Sequence, residues 1–365
     1  KGYLQPDKAG NFGYELVNLF KITGNKKYLD SAVRIAKTLG QKTQPGNNDE
    51  SPLPFRINAI TGKPGFFYSN TGSGKIESKA VYTANWTGTL MLFQEMIKLD
   101  TTNATLYQKS FDIILDWMKD YPMKTNKWGP FFEDIPGWSN TQTNAITFAM
   151  FIILNRDLFP NWQNDVKNII EWTYQELGNH EYEKYGVTVM NEQTVYRVPG
   201  NSHSSRQASM ELWYTLLSGD TTYRSNAIRT LNWATYTVDW DGKNRYIRDD
   251  IWLTDGYGDY VRHYLRAMSA FPELAPAHKN KLLSSTSIVT NITYSPDRIS
   301  YHTYDSSASE ILRLKTKPDK ILADESEIPE SNEADANFWI WTPLDSGGIL
   351  KIHHQKSKLI TIHFN

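Results

Sequence analysis

Along the first 285 positions, apolar residues return at helical spacing in segments that come two by two. Leu16, Val17, Leu19 and Phe20 close one segment, and Thr23, Gly24 and Asn25 interrupt it. Tyr28, Leu29, Ala32, Ile35, Ala36 and Leu39 then follow at intervals of three and four. The pattern recurs at Leu90 to Leu99 with Leu106 to Met118, at Ala145 to Leu154 with Trp162 to Thr173, and at Met210 to Leu217 with Tyr223 to Leu231. A degraded fifth copy joins Tyr257 to Met268, the breaker Pro272, and a polar helix through Leu282 and Leu283. In each copy the first helix is the more apolar, as an inner helix packed on several sides must be. The second carries one apolar stripe opposite Lys, Asp or Arg, as an outer helix must. Repetition of this kind marks an architecture of stacked units.

Turns of Gly, Asn and Asp join the two helices of a copy, consistent with helix C-capping and tight reversal. Segments leading to the next copy are long, polar and aromatic: residues 41–85, 121–144, 178–205 and 238–254. Short turns on one face and long loops on the other predict that one face carries the function. Beyond about Ser285 the period changes to two. Ile292 and Tyr294, Ile299 to Thr303, Ile311 to Leu314, Phe338 and Ile340, Leu350 to His354, and Leu359 to Ile362 read as strands, with residues 324–336 as an exposed hairpin tip. The expected organisation is a helical domain over 1–285 and a small antiparallel β-sandwich over 286–365.

A net charge of -1 with no long basic or acidic run removes the electrostatic footprint of a nucleic-acid binder. No stretch approaches the roughly 18 apolar residues of a membrane span. Cysteine is absent, which excludes a disulfide framework, a thiol nucleophile and a Cys-based zinc site. Aromatic residues reach 13%, with 12 Trp and 21 Tyr; such rings fill helical cores and also offer flat faces to sugars.

An array of inner and outer helix pairs with long loops on one face resembles the six-hairpin (α/α) toroid superfamily. The run from Lys21 to Ala32 (KITGNKKYLDSA) is similar to the hairpin signature common there. The resemblance covers roughly residues 9–285. It implies a toroid, with five pairs visible where six are expected, and a carbohydrate as the partner. It also implies a glycoside hydrolase acting on uronic-acid glycans, a polysaccharide lyase or a related isomerase. No cofactor or metal is expected. The C-terminal strands resemble the small β-sandwiches that follow catalytic domains in bacterial glycan-degrading enzymes. With the chain starting at Lys1 and no signal peptide pattern, a processed N-terminus and a periplasmic or secreted bacterial location are the expectation.

Candidate chemistry lies on the long-loop side. Trp128 to Trp138 (WGPFFEDIPGW) sets Glu133 and Asp134 between aromatic residues and prolines, where a carboxyl pKa rises and the group can act as a general acid; helix capping is the plainer use. Asp249 to Tyr260 (DDIWLTDGYGDY) holds Asp250 and Asp255, with Trp252 and Tyr257 as sugar platforms; an N-cap is the plainer role for Asp255. Hydrolysis of a glycosidic bond usually needs two carboxyl groups across it, which these segments together supply. Tyr196 to Arg206 (YRVPGNSHSSR) offers another chemistry. Tyr196 or His203 can remove a proton, Arg206 can bind a substrate carboxylate, and His203 can equally serve to hydrogen-bond the helix start. Trp138 reads as a further substrate contact. Three functions therefore compete: hydrolysis of a poly- or oligosaccharide, uronic-acid glycans among the candidates, by paired carboxylates; lyase or uronyl epimerase chemistry through Tyr196, His203 and Arg206; and glycan binding without catalysis. His353 and His354 alternate faces of a strand and do not converge on one ion.

Overall fold

The computed structural model describes residues 2–65, 78–132, 138–245, 254–255, 257–331 and 336–364, except that the side chains of 78, 79, 254, 255, 257 and 259 are not described. The chain divides into two compact units, one formed by Lys1–Phe20 with Asn25–Tyr260 and the other by Lys21–Gly24 with Val261–Asn365.

The first unit is built of helix pairs. α1 (Pro6–Thr23) is followed by α2 (Lys26–Lys42), α3 (Thr87–Leu99) by α4 (Ala104–Asp120) and the single turn α5 (Pro122–Thr125), α6 (Gln142–Leu154) by α7 (Trp162–Leu177), and α8 (Asn201–Ser218) by α9 (Arg224–Tyr236). α10 (Tyr257–Ala270), which opens a further repeat in the sequence, starts at the end of this unit and belongs from Val261 onward to the second. The reversal after α1 is capped where the sequence places it: the side chain of Asn25 accepts from the backbone N–H of Lys27. α2 and α4 bury one stripe each, Ala32, Ala36 and Leu39 in the first and Tyr107, Phe111, Ile114 and Leu115 in the second. α6 is buried on nearly every side, which suits its run of Ala, Ile, Phe and Met. Helices α3, α6 and α8 pack in succession as the inner layer, each also against its own outer helix.

α1 reaches α3 through glycine. A methyl group on Gly10 would collide with Thr89 and come within 3.0 Å of its Cα, so only a bare backbone permits the approach. One apolar core results, running from Leu16 and Val17 to Met210 and Tyr214, with Trp86 and Trp128 among its largest buried side chains.

Several details differ from the sequence reading. Residues 178–200, expected as loop, contain an antiparallel meander of β3 (Gly178–Asn179), β4 (Val189–Gln193) and β5 (Tyr196–Pro199), and α8 begins at Asn201, well before the apolar run. The fifth repeat has no outer helix among the described residues. After α10 and a turn of 3-10 helix, Leu282 and Leu283 stand in strand β8 (Lys281–Ser285), because Leu282 pairs with Leu312 of β11 (Ser307–Leu314). Short pairs also form between β1 (Tyr3–Leu4) and β2 (Ile57–Asn58), and between β6 (Asn244–Arg245) and β7 (Thr254–Asp255).

The second unit is antiparallel sheet. Besides β8 and β11 it contains β9 (Val289–Tyr294), β10 (Arg298–Thr303), β12 (Lys320–Ala323), β13 (Ser326–Ile328), β14 (Phe338–Pro343), β15 (Gly348–Gln355) and β16 (Leu359–His363). One sheet runs β13-β12-β16-β10-β9 and the other β14-β15-β11-β8. Alternate residues of both sheets, among them Ile299, Tyr301, Leu312, Leu350, Ile352 and Ile360, form a single apolar cluster. That is the period-two pattern put to use. β13 falls inside the segment expected as an exposed tip, its Ile328 buried on the cluster.

Candidate functional site

The first half of α8 contradicts its own composition. Asn201 to Ser209 is polar almost throughout, yet every one of these residues is buried. Burial of polar groups is tolerable only when they bond to each other, and here they do. Ser204 Oγ accepts from the backbone N–H of Met190 at 3.0 Å, tying the β-meander to the helix. Gln142, the first residue of α6, donates to the His203 carbonyl at 3.0 Å and to Gln207 Oε1 at 3.1 Å. Arg206 donates to Gln142 Oε1 at 3.2 Å and to Thr143 Oγ1 at 3.1 Å. Deeper in, Gln207 donates to Thr173 Oγ1 and Glu211 Oε1, both at 2.9 Å. The helix thus reads as loop in sequence and folds as helix because its neighbours complete its hydrogen bonds.

Within this network one atom stands out. His203 is 4% exposed, its Nδ1 lies 3.4 Å from Ser202 Oγ, and its Nε2 makes no hydrogen bond among the described residues. Burial, and then the neighbouring Arg206 guanidinium, hold its pKa well below the ordinary imidazole range, so the ring is neutral at neutral pH. Its ring lies 6.4 Å from that of Phe132.

Phe132 belongs to a loop that inner-helix side chains hold in place. Asn144 of α6 donates to the carbonyls of Trp128, Gly129 and Pro130 at 3.0–3.2 Å, and Thr83 Oγ1 donates to Pro130 at 2.8 Å. The loop carries Phe131 against Phe132, ring centroids 4.9 Å apart, and the ammonium of Lys8 sits 2.9 Å from the Phe131 ring centroid. Beside it Asp7, wholly buried, accepts from Asn85 Nδ2 at 2.8 Å, and burial raises its carboxyl pKa. A continuous chain of contacts therefore runs from the start of α1, past the loop, to the start of α8. Helix N-termini carry partial positive charge, so this end of the inner layer favours anionic or electron-rich ligands.

Among the sequence candidates, the structure brings His203 and Arg206 together on one helix turn. Tyr196 stands half-buried in β5, the strand that leads into that helix. Trp138 packs on Tyr82 with ring centroids 5.2 Å apart, and Lys127 lies over its ring. Glu133, Asp134, Asp250 and Trp252 lie outside the described residues. Asp255 pairs with Asn244 in the β6–β7 ladder and Tyr257 opens α10; their side chains are also outside what is described. Sequence reasoning missed Asp7, Asn85, Gln142 and Asn144. The available signal was weak: each is a polar residue at or beside the start of an inner helix, where a cap is the commoner reading.

No family model matches the sequence, and no curated protein matches it. Solved structures do. A cellobiose 2-epimerase from Spirochaeta thermophila superposes with a TM-score of 0.56 at 14% identity, over 75% of this chain and 72% of that one. A glycosyl hydrolase family 88 protein from Bacteroides vulgatus gives a TM-score of 0.45 at 12% identity over 75% and 76%. An α-1,6-mannanase of Salegentibacter sp., solved with α-1,6-mannotriose, gives 0.43 at 13% over 71% and 69%. The likeness to the epimerase, with the paired inner and outer helices described above, bears out the resemblance of this chain's fold to the six-hairpin (α/α) toroid superfamily.

Proposed function

We propose that the protein is an enzyme acting on an oligo- or polysaccharide by acid–base chemistry at the N-terminal ends of the inner helices, and that the reaction is proton transfer at a sugar carbon, as in an epimerase or lyase. The observation that carries this reading is His203: a buried imidazole, neutral at working pH, with Nε2 free of any hydrogen bond among the described residues. A base must be unprotonated and unengaged to accept a proton from carbon. Arg206, one helical turn on, supplies positive charge beside it for an enolate or carboxylate. The shared fold with a protein described as cellobiose 2-epimerase supports the same chemistry.

Hydrolysis by paired carboxylates, Glu133 or Asp134 with Asp250 or Asp255, is the second reading. On its side stands Phe132, which packs near His203 from the segment that carries Glu133 and Asp134. Glycan binding without catalysis predicts no product at all.

Incubating the protein with neutral and uronate-containing oligosaccharides in deuterated water separates the three. Proton transfer gives deuterium in recovered or epimerised sugar, or an unsaturated product absorbing in the far ultraviolet; hydrolysis gives only new reducing ends. On this reading His203→Ala lowers turnover by about a hundredfold or more, the scale of a lost acid–base group. Turnover that survives His203→Ala but falls in Glu133→Gln and Asp250→Asn hands the reaction to the carboxylates.

A further inference from the structure

The first unit holds a cavity of about 710 Å³ that the reaction above does not use. It opens where α9 ends, between the segment after β3 and the turn leading to β6, and Tyr182, Tyr185, Trp233 and Tyr236 contribute to its walls. Tyr182 and Trp233 meet edge to face with centroids 5.4 Å apart, which fixes one corner. Tyr236 is 90% exposed and Trp240, in the adjoining turn, 93%. Large rings held in water beside a concavity are costly unless something stacks on them.

The charges in the cavity are unequal in kind. Arg245 is neutralised by Asp239 at 3.0 Å and by Asp241 at 2.6 Å. Arg229 faces no carboxylate among the described residues; its Nη1 donates to the carbonyls of Tyr185 and Gly186, at 3.4 Å each. Gly186 makes room for it: its φ is +71°, and a methyl group there would collide with the guanidinium. The cavity also touches the candidate site. Thr237, in its wall, accepts from Asn201 Nδ2 at 2.8 Å, and Asn201 lies two residues before His203 on α8.

We infer that this cavity is a glycan subsite for an acidic sugar, with its rings on Tyr236 and Trp233 and its carboxylate on Arg229, placed to hold a part of the chain away from the reacting residue. The inference rests on the carbohydrate reading above but on neither choice of chemistry. Aromatic faces take the apolar side of a sugar ring, and an uncompensated guanidinium takes a carboxylate through paired, charge-assisted hydrogen bonds. A neutral glycan would leave the charge of Arg229 without a counter-charge, so the pocket discriminates by charge.

Isothermal titration of the full chain with oligogalacturonate, alginate and hyaluronan oligosaccharides, against cellotetraose and mannotetraose, tests this. At least one acidic oligosaccharide should bind more tightly than either neutral one, with an affinity that falls as salt rises. Arg229→Gln and Tyr236→Ala, both surface changes, should each weaken that binding by about fivefold or more. Absence of binding by every acidic probe, equal binding of the neutral ones, or a smaller loss in Arg229→Gln overturns the subsite. Titration reads the cavity and turnover reads the reaction. Binding that is intact while His203→Ala retains turnover sinks the proposed chemistry alone, whereas turnover without binding of this pattern sinks the subsite alone.

Discussion

Two buried ionisable residues of α8 give the protein opposite responses to pH. Burial raises the Glu211 carboxyl to about 8 from an ordinary 4.5, despite Gln207 and Tyr174 beside it. The folded chain therefore holds a proton that the unfolded chain gives up, and stability is lost as pH rises toward 8. His203 has the contrary sign. Its pKa is depressed below the ordinary 6.5, so only the unfolded chain takes up a proton in mild acid, and stability is lost as pH falls below that value. Between pH 6.5 and 8, of these two groups, Glu211 alone acts. Glu211→Gln should flatten the fall of melting temperature in that window and leave the variant more stable than wild type at pH 9, by on the order of a few kcal/mol. An unchanged slope in thermal melts at pH 6.5, 7.5 and 8.5 would refute the assignment. Rate should follow the same group: if His203 is the base, kcat/KM should stay level through neutral pH and decline only in acid, below the ordinary histidine range.

The elements owe their positions to a few local decisions. Asn25 caps α2, and Asn25→Ala should cost about 1 kcal/mol in chemical denaturation, the usual worth of such a cap. Gly10 sets the spacing of α1 and α3. Gly10→Val must push against Thr89 and its backbone, and should cost about 1–3 kcal/mol, with the change read as a lower denaturation midpoint at unaltered slope. Helix α8 is the instructive case. Its apolar half was legible from Met210 onward, but its polar half was not, because Asn, Ser and His in sequence argue for a loop. Gln142, Thr143, Thr173 and Met190 decide otherwise by supplying partners from α6, α7 and β4. Those partners are 14 to 65 positions away, beyond the reach of any local pattern.

At the scale of the molecule, two cores form from two grammars. The helical unit buries Trp86, Trp128, Phe93 and Phe148 among its pairs, which accounts for part of the aromatic content without any ligand. The sheet unit has its own cluster, and Leu350, fully buried at its centre, is a sensitive probe of it. Leu350→Ala should cost about 2–5 kcal/mol in that unit, the range for a buried leucine, followed through the fluorescence of Trp339 in the neighbouring strand. Aromatic residues left over after both cores are filled, Tyr185, Tyr236 and Trp240 in particular, are the ones for which a ligand is the economical explanation.

The sequence alone determined the paired helices, the polar turns between them, the change to strands after α10 and most of the strands themselves. Each of these rests on the period of apolar residues, which the chain carries locally whatever surrounds it. It could not place the boundary at Leu282, where pairing with Leu312 overrides a helical reading, nor foresee the meander before α8. The candidate site was half legible. His203 and Arg206 were singled out by residue type, but that the one is a buried neutral imidazole whose Nε2 has no hydrogen bond among the described residues, and that the other bonds to the start of α6, follows from burial and contact across distant segments. Desolvation and hydrogen-bond completion depend on everything within a few ångströms of an atom, and only the tertiary structure decides what that is.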